Sequence, residues 1–127
     1  MELVAIVIIL ALVEYFAFGI LVGRARAKYD IKAPAISGDP IFERYYRVHQ
    51  NTLEQLAIFL PAIVIYGVYG NPTYAAGLGM VFIIGRIVYL RGYVSDPGAR
   101  GTGFAIGFLA TVALLVAGLF SAARNLF

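Results

Sequence analysis

Apolar residues run almost unbroken through four stretches of the chain. The first, Leu3 to Val22, carries one charge, Glu14; the second, Leu56 to Tyr69, is interrupted by Pro61 and Gly67. Tyr74 to Ile84 continues the pattern, and in Phe104 to Ala123 the polar side chains are Thr111 and Ser121. A helix rising 1.5 Å per residue needs about 20 such residues to cross about 30 Å of hydrocarbon. Two stretches reach that length outright, and two reach it once their polar ends are added. The pattern therefore predicts helices over about 2–28, 41–69, 73–94 and 102–124. Asp39 and Pro40 suit the N-cap and first turn of the second helix. Pro61 predicts a kink that membrane helices tolerate. Tyr29 to Pro40 reads as a loop, Gly70-Asn71-Pro72 as a tight turn and Ser95 to Gly101 as a short loop.

Composition supports the same picture. Of 127 residues, 61% are hydrophobic and 13% charged, against about 25% charged in a soluble domain. The expected class is an all-α integral membrane protein, one domain over 1–127, with four transmembrane helices in a left-handed bundle. No basic residue precedes the first span, its apolar run is long, and no small-residue cleavage site follows before Arg24, so a retained helix is expected rather than a signal peptide. The chain has no cysteine and one histidine, which excludes a disulfide framework, a thiolate or histidine-cluster metal site and a cysteine nucleophile. No metal is expected.

Charge then orients the spans. Arg24, Arg26, Lys28, Lys32, Arg44 and Arg47 flank the first loop, and Arg86, Arg91 and Arg100 flank the third, leaving Arg124 for the other side. The positive-inside rule places the first and third loops in the cytoplasm and both termini on the opposite side. The net charge of +3 follows from this asymmetry; without a basic stripe interleaved with exposed aromatics, no nucleic-acid partner is implied.

The same end of the bundle carries the candidate chemistry. Arg44, Arg47, Asn51 and Glu54 are spaced 3, 4 and 3 apart, one face of the second helix, and Arg86, Tyr89 and Tyr93 are spaced 3 and 4 apart on the third. A lone arginine or tyrosine there would belong to an interfacial belt or a structural ion pair. Arg, Asn, Glu and Tyr on two helices that end at the same membrane face instead predict a polar pocket. Its donors outnumber its acceptors, so the expected ligand is an anion bearing carboxylates.

Three stretches also resemble a known family. Gly23-Arg24-Ala25-Arg26-Ala27-Lys28-Tyr29, then Pro34 through Asn51 with its Glu43-Arg44-Tyr45-Tyr46-Arg47-Val48-His49-Gln50-Asn51 run, then Gly85-Arg86-Ile87-Val88-Tyr89-Leu90-Arg91-Gly92-Tyr93 resemble the membrane-associated proteins in eicosanoid and glutathione metabolism (MAPEG), specifically the microsomal glutathione transferases. The resemblance implies a homotrimer binding glutathione, as co-substrate, between adjacent subunits. It implies glutathione contacts from Arg47, Asn51, Glu54, Arg86, Tyr89 and Tyr93, and from Arg26 of the neighbouring subunit. It also implies that Arg100 stabilises the glutathione thiolate for detoxifying attack on lipophilic electrophiles, or on lipid hydroperoxides in a peroxidase reaction, with the second substrate arriving from the bilayer lipid. His49 stands where leukotriene C synthase-like members have glutamine, and Gln55 where they have an aromatic residue.

Two other readings compete. Small multidrug-resistance transporters share the length, the four helices and an acidic residue midway along the first, with Glu14 as the proton-coupled carboxylate. A basic, proline-bearing first loop does not suit a cation exporter, and Glu14 is expected to be a buried structural residue. A non-catalytic lipid-binding scaffold is the third reading; the presence of Arg100 and both tyrosines favours catalysis. His49, two positions from Arg47, lies off the polar face and is expected to be a subunit contact. Gly103, Gly107 and Gly118 predict close packing of the last helix.

Overall fold

A computed structural model describes all residues from Met1 to Phe127. It contains α1 (Glu2–Tyr29), α2 (Pro40–Tyr69), α3 (Pro72–Ser95) and α4 (Gly101–Leu126), and a 3₁₀ turn at Pro97–Arg100. All four helices are long and apolar enough to cross a membrane. The turn occupies what hydropathy treats as irregular loop. Pro97 at its start and the Asp96 carboxylate accepting from the Gly98 N–H at 3.1 Å shape it.

Local chemistry sets the helix ends. Asp39 accepts at Oδ1 from the Ile41 N–H at 2.8 Å and the Phe42 N–H at 3.1 Å, capping α2 behind Pro40. Asn71 caps α3 through the Tyr74 N–H at 3.1 Å, also ahead of a proline. Asp30 ends α1 in the left-handed region with φ 55°. The following loop is held back on α1 by Arg26, whose Nη1 donates to the Ala35 carbonyl at 2.6 Å. α2 runs on through Pro61 as a single helix.

α2 and α3 each pack against all three other helices, with α1 and α4 on the flanks. The main core joins Val4, Val7 and Ala11 of α1 to Leu56, Phe59 and Ile63 of α2, Phe82 of α3 and Leu114 of α4. Phe59 and Phe82 stack at its centre, ring centroids 4.0 Å apart. Large apolar side chains face outward as well: Ile9, Val13, Phe16, Leu109, Val116 and Leu119 are all exposed. A lipid solvent permits this, because the outer apolar surface meets acyl chains while small residues at the seams let helices approach.

The α3–α4 seam shows the approach most clearly. A Cβ at Gly85 would lie 2.7 Å from the Gly107 nitrogen, and one at Gly103 would strike the Tyr89 main chain. The first loop and the 3₁₀ turn lie at one end of the bundle, and the α2–α3 turn lies at the other.

Candidate functional site

Between the first loop, α2, α3 and the 3₁₀ turn lies an open cavity of about 520 Å³, within the range of small-molecule sites. Of the residues singled out from sequence, Arg47, Asn51, Glu54, Tyr89, Tyr93 and Arg100 line it. A second, smaller cavity of about 240 Å³ adjoins it, bounded by Asn51, Tyr89, Arg100, Gly101 and Phe104. Asn51, Tyr89 and Arg100 are common to both, so Arg100 stands where a polar lobe meets one floored by Phe104 of the flanking α4.

Arg100 reaches that junction through the backbone. A Cβ on Gly92 would lie 2.5 Å from the Ala99 carbonyl oxygen, so the 3₁₀ turn packs directly on the α3 backbone there. Arg100 donates to the Pro97 carbonyl at 2.6 Å, and its guanidinium carbon lies 5.6 Å from the Tyr93 ring centre. Tyr93 in turn meets Tyr89 edge-on, centroids 5.6 Å apart.

Arg86 lies one layer behind the cavity and does not line it. It is 1% exposed and is the largest fully buried side chain of the protein. Its Nη2 donates to Asn51 Oδ1 at 2.7 Å and Thr52 Oγ1 at 2.9 Å, and its Nε to Thr52 Oγ1 at 3.3 Å. The Thr52 hydroxyl donates to the Val48 carbonyl at 2.8 Å, which turns its lone pairs toward the guanidinium. Because arginine only donates, Asn51 must offer Arg86 its oxygen, which leaves the amide NH₂ for the cavity.

Arg26 is likewise outside this cavity within one protomer. It braces the first loop, its guanidinium over the Phe42 ring at 4.9 Å, and so supports Ile36 and Ser37 of the cavity wall. Arg44 diverges from the polar face as well, donating to the Val94 carbonyl at 2.9 Å. The His49 ring stacks on Tyr15 of the same chain, centroids 4.5 Å apart. Gly19 makes room for it, since a Cβ there would lie 3.2 Å from His49 Nε2.

Ile36, Ser37, Glu43, Tyr46 and Gln50 also line the cavity, and the sequence reading did not select them. Glu43, Arg47, Gln50 and Glu54 are spaced 4, 3 and 4 apart, so helical periodicity could have found this face. Ile36 and Ser37 carry no periodic signal.

The charges of the cavity are unpaired. The one ion pair in the chain joins the Met1 amino group to Glu2, so Arg47, Glu54 and Arg100 have no oppositely charged partner within the protomer. Nothing in the chain groups three or more metal-ligating side chains.

The MAPEG family model matches residues 4–120. The chain belongs to the MAPEG family. Membership agrees with the four spanning helices and makes this an integral membrane protein. Among similar proteins, human microsomal glutathione S-transferase 2 is 41% identical over 115 residues, covering 89% of this chain and 78% of the relative. An uncharacterised protein of Synechocystis is 47% identical, covering 92% and 85%. Leukotriene C4 synthase of Cavia porcellus is 34% identical, covering 77% of this chain and 65% of its own length.

Proposed function

We propose that this protein is a membrane-bound glutathione transferase that binds glutathione in the larger cavity and conjugates it to lipophilic electrophiles. The observation that carries the reading is the convergence of Arg47, Glu54 and Arg100, all without a partner charge, on one cavity. Glutathione is complementary to that set. A carboxylate matches the Arg47 guanidinium, its ammonium matches Glu54, its thiol matches Arg100, and its amides match the Asn51 NH₂ and the Tyr93 hydroxyl. The glutathione transferase names of several relatives support the same assignment.

Arg100 at the junction of the two lobes is suited to hold the sulfur. A thiol of pKa about 8.5 is only a few per cent ionised at pH 7, and a guanidinium that lowers the value by about 2 contributes about 2.7 kcal/mol. The thiolate fraction then rises about twentyfold at neutral pH. Arginine suits the role because it stays charged when partly desolvated. The sulfur lone pair forms the new bond to the electrophilic carbon, the leaving group departs with its electron pair, and the thiol proton passes to water in the open cavity. The smaller lobe beside Phe104 and Gly101 receives the apolar substrate from the lipid side of α4. A lipid hydroperoxide in that lobe would make the same site a peroxidase.

In the assembly proposed from the family resemblance, three protomers associate and Arg26 of a neighbour closes the glutathione site. The first and third loops face the cytoplasm under the positive-inside rule, so the cavity opens there. A proton-coupled cation exporter is disfavoured by the placement of Glu14, which lies on the inward face of α1 with both carboxylate oxygens buried away from any cavity described above.

The test is conjugation of glutathione to 1-chloro-2,4-dinitrobenzene by the detergent-solubilised protein, together with calorimetric titration of glutathione. Turnover with binding supports the proposal. Binding without turnover points to a scaffold, and absence of both ends the assignment.

A further inference from the structure

The interior of the bundle holds an acidic and a basic side chain, neither with an ionic partner. Both carboxylate oxygens of Glu14 are buried without a hydrogen-bond donor. Arg86 is 1% exposed and has no carboxylate within ion-pair distance. Its hydrogen bonds run to the neutral Asn51 and Thr52 through Nε and Nη2, and Nη1 makes none. An uncompensated charge inside a membrane bundle costs several kcal/mol, so the two groups have strong reason to meet.

Helix register brings them level. The buried positions of α1, Val4, Val7, Ala11, Phe18, Val22 and Ala25, leave one gap in their 3–4 spacing, and Glu14 fills it. α1 and α3 run parallel. Val7 of α1 packs at Gly79 of α3, where a Cβ would lie 2.5 Å from Val7 Cγ1. Two turns or more further along, Phe18 and Tyr89 share one cluster with Val48. Interpolating between those points puts Glu14 beside Arg86. Side-chain torsions that rotate between staggered wells, or a bridging water, are the means by which such a pair is joined.

We infer that Glu14 is the counter-charge of Arg86 and, through it, a positioning residue for Asn51 in the glutathione site. The pair fixes the guanidinium at the back of Asn51, the guanidinium fixes the amide oxygen, and the amide NH₂ is thereby aimed into the cavity. The inference rests on the proposed function for its ligand, but the pair itself does not. Glu14 touches neither glutathione nor the electrophile, so its effect is confined to the affinity for glutathione.

Two measurements test it. In the first, glutathione Kd and the separate KM values for glutathione and 1-chloro-2,4-dinitrobenzene are compared for the unsubstituted protein, Glu14→Gln and Glu14→Asp. Glu14→Gln is expected to weaken glutathione binding about fivefold or more, with the KM for the electrophile unchanged, and Glu14→Asp to restore most of the affinity. A Glu14→Gln protein that binds glutathione as tightly as the parent overturns the positioning role. Equal shifts in both KM values overturn it too, since general loosening would produce them. In the second, thermal unfolding without glutathione is measured for Glu14→Gln, Arg86→Met and the double variant. Removing one partner strands the other charge, so the double variant is expected to be less destabilised than the sum of the singles. Additive losses overturn the pair. Should Arg86→Met fail to fold, Arg86→Gln takes its place in the cycle. If the unsubstituted protein binds no glutathione, the proposed function and the positioning role fall together, while the unfolding cycle still decides the pair.

Discussion

Arg44, one turn into α2, donates from Nη1 to the main-chain carbonyl of Val94 near the end of α3, at 2.9 Å, and approaches the Ser95 carbonyl at 3.5 Å. A cation here meets the negative end of the α3 dipole and occupies carbonyls that the helix leaves without an amide partner. The contact ties the entrance of α2 to the exit of α3, the two elements that carry Arg47 and Tyr93 on opposite walls of the cavity. Arg44→Ala is expected to cost about 1–2 kcal/mol, read as a lowered Tm, and to loosen glutathione binding. An unaltered Tm would show that the contact does not hold the cavity walls together.

Arg100→Ala separates binding from chemistry. Arg47 and Glu54 remain to hold the peptide, while the group beside the sulfur is lost. Glutathione Kd is expected to change little, and kcat at neutral pH to fall about twentyfold or more, the loss of thiolate fraction estimated above. The same variant is expected to recover part of its rate as pH approaches the ordinary thiol pKa. Full turnover at pH 7 in Arg100→Ala would remove this residue from the mechanism.

Arg47→Ala tests the anion clamp. A charged hydrogen bond to a carboxylate in a partly desolvated cavity contributes about 1.5–3 kcal/mol, corresponding to a roughly tenfold to hundredfold weaker Kd. Equilibrium dialysis or calorimetry with glutathione measures it. Retained affinity would mean that the peptide's carboxylates lie elsewhere.

Gly103→Ala tests the seam that places α4. A methyl group there would strike the main chain of Tyr89, and a backbone cannot move aside as a flexible side chain can. A loss of about 1–3 kcal/mol or more is expected from overpacking, with reduced turnover because Phe104 and Tyr89 shift together. Gly77→Ala is the control, since a Cβ there meets nothing within 4 Å. Equal stability of the two variants would contradict the close approach.

Much of this is legible in the sequence. The cost of placing a residue in hydrocarbon depends mainly on its own side chain, so a running sum along the chain locates the spans. Helix caps are equally local: Asp39 and Asn71 act on amides two or three residues away. The 3–4 spacing of Arg47, Asn51 and Glu54 put them on one helical face for the same reason. What local periodicity could not decide was which arginine of the third-loop region lines the cavity. Arg86 shares a helical face with Tyr89 and Tyr93, and Arg100 lies in a segment without regular period.

The tertiary structure reversed that order of prominence. Gly85, Gly103 and Gly107 let α4 close on α3 beside Arg86, so the guanidinium is enclosed and turned onto Asn51 and Thr52. Contact of the 3₁₀ turn with Gly92 carries Arg100 back over Tyr93 instead. Ile36 and Ser37 join the wall because Arg26 folds their loop onto α1, and Glu14 comes level with Arg86 because α1 and α3 pack in parallel register. Each of these depends on distances between segments far apart in the chain. Hydropathy and helical period determine what each segment is; only the packing of helices determines which side chains share a cavity.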